Sequence, residues 1–217
     1  DFVFIGNYQH KPNKDSVMYA AREIYPKLLQ QFGDSKPEFH IYGINIDSEI
    51  KSLESKFIKV KGFMKDISSL SNYRVLMAPI LYGAGVKGKI IDSRNNGLPV
   101  VTTYYGGESC LEKDYTNNTD ITSYKEIIID YCKFIDSNNF GGYIVNNKND
   151  FIRSCYDLYT NKEIWTNKVK TGRNILNNRF SYTKNSDRLI KGLTNKIPFH
   201  TTVLQNVLKS ETLRSTK

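Results

Sequence analysis

The chain has 217 residues, 39% hydrophobic and 24% charged, an ordinary globular balance that excludes collagen, coiled coil and wholesale disorder. No apolar run approaches the roughly 20 residues that span a bilayer, so no membrane span is expected. Thirty-one Lys and Arg against 22 Asp and Glu give a net charge of +9 and point to anionic partners, but no run of five basic residues argues for nucleic acid.

Phe2-Val3-Phe4-Ile5 reads as a buried strand ending at Gly6, followed by a polar loop from Asn7 to Asp15. Ser16 to Phe32 has helical spacing, with Asp15 or Ser16 as cap and Pro26 kinking it or ending its first part. Phe39 to Gly43 is a second strand, Ser48 to Ser55 a short helix, and Phe57 to Val60 a third strand ending at Gly62. Lys65 to Tyr73 is a short helix or turn before the strand Val75 to Pro79 and the Gly-rich stretch Gly83 to Lys89. Ile90 to Asn96 is a helix stopped by Gly97, and Pro99 to Thr102 a fifth strand. Glu112 to Asp120 is turn-rich, Ser123 to Phe134 helical, and Tyr143 to Val145 a sixth strand. Asp150 to Leu158 and Lys162 to Asn177 are helices, the second carrying Trp165 as a core anchor.

This alternation predicts an α/β fold: a Rossmann-like parallel sheet of about six strands with helices on both faces. The expected division is a nucleotide-binding domain over residues 1–180 and a helical tail over 181–217 that packs on it or reaches a partner domain. Ligands of such sheets bind beyond the carboxyl ends of the strands. The opening Asp-Phe-Val-Phe, without Met or a signal peptide, suggests a piece of a longer protein. Cys110, Cys132 and Cys155 form no CxxC pair, which fits reduced thiols in a cytoplasmic setting. His10, His40 and His200 are too far apart in sequence to suggest a metal cluster, and His40 reads as packed within its strand.

Gly83 to Lys89 matches the G-x-x-x-x-G-K of a P-loop, but Ile90 stands where Ser or Thr must reach Mg²⁺. Ile127-Ile128-Ile129-Asp130 would be the partner metal strand, yet it lies inside a segment of helical length.

A second reading uses more of the chain. Ala78 to Asp92 followed by Gly97 to Thr103, together with Phe4-Ile5-Gly6, Lys11-Pro12-Asn13, Gly62-Phe63 and Asp66, resembles the C-terminal, nucleotide-sugar-binding half of group 1 (family 4-like) glycosyltransferases of GT-B fold. The resemblance covers about residues 2–180. It implies a glycosyltransferase that moves a hexose or deoxyhexose such as rhamnose from a UDP-, GDP- or dTDP-sugar to a glycan acceptor, with retention and without metal or other cofactor. Asp92 stands where the family's carboxylate holds the ribose hydroxyls; Glu is commoner there. The family's other Glu, which faces the sugar, falls within Gly83 to Gly85 and is absent. The Gly-Ala-Gly-Val-Lys form resembles enzymes building bacterial-type and viral surface glycans, and the Asn-, Lys- and Ile-rich composition fits an AT-rich genome such as that of a large DNA virus.

The chemistry of these residues suits a diphosphate. Glycines let backbone N–H groups approach phosphates, and a helix beginning near Lys87 aims its positive end at them. The expected catalytic residues are Lys89, Lys87 and His10, with Lys89 favoured for the diphosphate and one of the two lysines turned to solvent. The expected donor-binding residues are Gly6, Tyr8, Lys11, Tyr82, Gly83, Ala84, Gly85, Val86, Asp92, Gly107 and Glu108, with Phe63 and Met64 flanking the base. No Asp-x-Asp pair for a metal is found. The acceptor side is left to another domain or subunit, a second copy of the chain among them. The alternative is a non-catalytic nucleotide-sugar-binding module.

Overall fold

The computed structural model describes residues 1–108 and 140–194. The expected turn-rich stretch Glu112 to Asp120, the helix Ser123 to Phe134, Cys110, Cys132 and residues 195–217 lie outside them.

Among the described residues, six strands form one parallel sheet: β1 (Phe2–Asn7), β2 (Phe39–Ile44), β3 (Ile58–Gly62), β4 (Val75–Ala78), β5 (Val100–Thr102) and β6 (Gly142–Ile144). Their order is β3-β2-β1-β4-β5-β6. The chain builds outward from β1 in one direction, then returns to place β4 on the other side of β1. That reversal makes a crevice beyond the carboxyl ends of β1 and β4.

Alternate side chains of the strands enter two cores. Phe2, Phe4, Phe39, Ile41, Met77 and Val101 pack on one face. They meet α1 (Lys11–Tyr19), α2 (Tyr25–Leu29) and α6 (Lys148–Thr160), which supplies Phe151, Cys155 and Leu158. Val3, Leu76, Ala78 and Val100 pack on the other with Leu70, Ile90 and Leu98. The remaining helices are α3 (Ser48–Lys51), α4 (Gly88–Asn95), α5 (Tyr104–Gly107), α7 (Lys162–Arg179) and α8 (Tyr182–Thr194), with a 3₁₀ turn over Ile67–Asn72. Apolar burial on both faces explains why the strands read as continuous apolar runs.

The first helix differs from the sequence reading. It starts at Lys11, with His10 as its cap residue and Pro12 in its first turn, where a missing N–H costs nothing. Its expected kink is a π-helical turn over Ala20–Ile24, in which the Tyr25 N–H donates to the Ala20 carbonyl, five residues back. Pro26 follows at once; it has no N–H for the Arg22 carbonyl, and its ring would crowd that carbonyl in a regular helix. Trp165 anchors α7 to the start of β4: its indole N–H donates to the Arg74 carbonyl at 2.7 Å, under the Arg74 guanidinium. The chain divides into two compact units after Leu176.

Candidate functional site

The crevice at the reversal of strand order holds a cleft of about 410 Å³. Four strand ends build it. Ile5, Gly6, Asn7 and His10 come from the end of β1, with Pro12 and Asn13 from the first turn of α1. Gly43 and Ile44 close β2, and Phe63 and Met64 follow β3. Beyond β4 the wall is Ile80, Tyr82, Gly83, Ala84, Val86 and Lys87, then Gly88, Lys89 and Asp92 of α4. The floor is tight at Gly43: a Cβ there would stand 1.9 Å from the Gly6 carbonyl oxygen and 2.5 Å from the Tyr8 ring.

Two helices, α1 and α4, begin at this cleft, and neither has a side-chain cap at its cap residue, His10 or Lys87. In α4 this leaves first-turn N–H groups and the positive dipole end open to an anion; in α1 Pro12 has no N–H and the Asn13 N–H donates to the His10 carbonyl at 3.0 Å, so α1 brings chiefly its dipole end. Between them lies the Lys89 ammonium, 2.6 Å from Asn13 Oδ1 and 4.4 Å from the centre of the buried Phe4 ring. Burial, and after it the nearby Lys87, pulls Lys89 from its ordinary value of 10.5 to about 7. Asn13 is itself held, its amide donating to the Asn7 carbonyl at 2.9 Å. Asp92, one turn into α4, is half-buried, and burial raises its carboxyl above the usual range.

Lys87, which the sequence reading allowed to turn to solvent, is only partly exposed. Its ammonium turns back to the Gly83 and Gly85 carbonyls, at 3.1 and 2.8 Å. Tyr82 donates its hydroxyl to the Asp15 carboxylate, tying the Gly-rich loop to α1, and that bond raises the phenol above its ordinary value.

Other expected site residues stand elsewhere. Tyr8 is a core residue: it stacks on Phe4, and its hydroxyl donates to the Tyr42 carbonyl at 2.8 Å, so it does not face the cleft. Lys11 is exposed in the first turn of α1, outside the cleft lining, because the helix begins earlier than expected. Gly85 is in the loop but outside the lining. Gly107 packs on Ile144 and Phe140, and Glu108 follows it; neither lines the cleft, because α5 folds back on β5 and β6. Phe63 and Met64 both line the cleft, Met64 buried and Phe63 67% exposed. Pro12, Asn13, Gly43 and Ile44 were not assigned to the site from sequence, nor were Ile5, Asn7, Ile80 and Gly88, which line the cleft too. The signal for the first two was Pro12, a residue favoured in a helix's first turn.

His40 sits at the opposite, amino end of the sheet. Its Nδ1 is 2.8 Å from the Tyr73 hydroxyl and its Nε2 2.7 Å from the Glu38 carboxylate. Asp1, Glu38 and His40 bring ligand-type atoms within 4.8 Å of one another, a grouping that the spacing of the His residues did not suggest. Cys155 is fully buried, and burial pushes its thiol up, as for an inert core cysteine.

The model of the family described as glycosyl transferases group 1 matches residues 1–133. The chain belongs to the group 1 glycosyl transferases. No curated protein matches it. Solved structures share the fold at low identity. A point mutant of S. aureus TarM in complex with fondaparinux, α-GlcNAc-glycerol and UDP aligns at 16% identity and a TM-score of 0.63, over 88% of this chain and 34% of that one. Anabaena Alr3699/HepE in complex with UDP and glucose aligns at 14% and 0.57, over 89% and 48%. The C-terminal domain of the Francisella tularensis group 1 protein LpcC aligns at 14% and 0.54, over 83% and 86%. The chain thus spans about a third of TarM and most of an isolated C-terminal domain. Among the described residues, no helix is long and apolar enough to cross a membrane.

Proposed function

We propose that this group 1 glycosyltransferase domain binds a nucleoside-diphosphate sugar in the cleft between the ends of β1 and β4, and transfers its hexose or deoxyhexose, rhamnose among the candidates, to a glycan acceptor. The observation that carries this reading is the convergence of the open first turn of α4 and the dipole end of α1 on one desolvated ammonium, Lys89. Such a site favours negative charge, and more so as charge grows on the departing diphosphate. That Asp92, Phe63 and Met64 all line the cleft supports assigning Asp92 to the ribose hydroxyls and Phe63 and Met64 to the base. UDP is the first nucleotide to test, since the TarM and HepE structures above are complexes with it. Retention at the anomeric carbon follows the family resemblance alone.

Metal-independent transfer is part of the proposal. The cleft's acidic lining residue is Asp92 and its cations are Lys87 and Lys89. The Asp1, Glu38 and His40 grouping lies at the other end of the sheet.

The acceptor side is assigned to another domain or a second subunit. Ile44, Phe63, Leu81, Val86 and Tyr105 are exposed apolar residues at or after the carboxyl ends of β2 to β5, three of them, Ile44, Phe63 and Val86, in the cleft lining. Exposed apolar side chains gathered at one end of the sheet support covering by another body. The test is calorimetric titration with UDP, GDP and dTDP, then donor hydrolysis or transfer with any that bind. Binding without turnover in the presence of the acceptor-side domain would favour the non-catalytic module.

A further inference from the structure

We propose that Lys87 is a positioning residue: its ammonium holds the Gly83 and Gly85 carbonyls and thereby aims the Ala84 and Val86 N–H groups at the donor, without itself ligating the phosphates. The inference rests on the nucleotide-sugar reading of the cleft.

The loop's backbone is unusual. Gly83 and Gly85 both lie in the left-handed region, at φ 119° and 81°. The Gly83 and Gly85 carbonyls, two residues apart, both turn to the Lys87 ammonium. Two carbonyl dipoles brought together repel, and the Lys87 ammonium between them, at 3.1 and 2.8 Å, removes that repulsion. Each trans peptide places its N–H opposite its C=O. With the Gly83 and Gly85 carbonyls turned to the ammonium, the N–H groups of Ala84 and Val86 point away from it. Neither N–H donates to another group of the described residues, and both residues line the cleft. The loop therefore offers two oriented donors, of the kind that bind phosphate or sugar oxygens in backbone concavities. The two lysines divide their work: Lys89 crosses to Asn13 in the cleft, while Lys87 is spent on the loop's own carbonyls.

The test uses the full chain. In ligand-free protein, the backbone order parameters of Gly83 to Val86, read by NMR relaxation, should fall in Lys87→Met and stay at wild-type values in Lys89→Met. UDP affinity should fall about tenfold in Lys87→Met. Lys87→Gln, uncharged but still an N–H donor, should bind within about threefold of wild type. Unchanged order parameters in Lys87→Met overturn the proposal. So does a Lys87→Gln variant as weak as Lys87→Met, which would make the charge, and not the carbonyl bonds, the contribution of Lys87. Wild type that binds none of UDP, GDP and dTDP overturns the nucleotide-sugar reading and this assignment with it. Wild type that binds while Lys87→Met binds equally well overturns the assignment alone.

Discussion

Lys89 and Asp92 share a helix turn and a cleft wall, and burial works on both in the direction of neutrality. Burial pulls Lys89 to about 7, so part of it is uncharged at neutral pH. A bound diphosphate favours the ammonium. UDP affinity should then fall as pH rises through about 7, with proton uptake on binding at and above it, read by calorimetry in buffers of different ionisation enthalpy. Lys89→Met should weaken binding and flatten this dependence; a wild-type affinity indifferent to pH in this range would contradict it. Asp92→Ala should weaken UDP binding by roughly 1–3 kcal/mol, the scale of lost bonds to a charged group, with folding retained. That Lys89 and Asp92 line the cleft was legible from the Gly-rich stretch, because family spacing and helix-dipole chemistry point to the same short segment. Tyr8 was not: nothing in a one-dimensional pattern tells that an aromatic two residues past a Gly swings under β2 to bond Tyr42.

At the scale of elements, the strand alternation was legible because buried parallel strands are apolar on both faces, and all six strands stand where the runs are. The start of the first helix was not, because Asn7 to Asp15 is polar and the exposed outer side of α1 looks like loop. Pro12 outweighs that pattern. The consequence reaches the site, since Asn13 in that first turn is the partner of Lys89. Element spacing at the cleft floor gives a further prediction. Gly43→Ala would drive a methyl into the Gly6 carbonyl and the Tyr8 ring, so β1 and β2 must part. Its cost should be about 2–4 kcal/mol, seen as a lower denaturation midpoint, with UDP binding weakened in the fraction that folds. A variant as stable as wild type would contradict the close packing of β1 on β2 there.

At the scale of the molecule, the strand order puts every candidate donor contact on one rim, and that rim is apolar beyond the cleft. Leu81→Asp, on the rim but outside the cleft lining, should leave UDP affinity unchanged and lower transfer by about tenfold or more when the acceptor-side body is present. Undiminished transfer would remove the rim from that contact. The central claim, that this cleft receives a nucleoside diphosphate through Lys89 and the two helix starts without a metal, is tested most directly by calorimetric titration of UDP, GDP and dTDP in EDTA, beside Lys89→Met. The account predicts one saturable site per chain for at least one nucleotide, weakened in Lys89→Met. Binding that disappears with EDTA, that none of the three nucleotides shows, or that Lys89→Met leaves unchanged would contradict it.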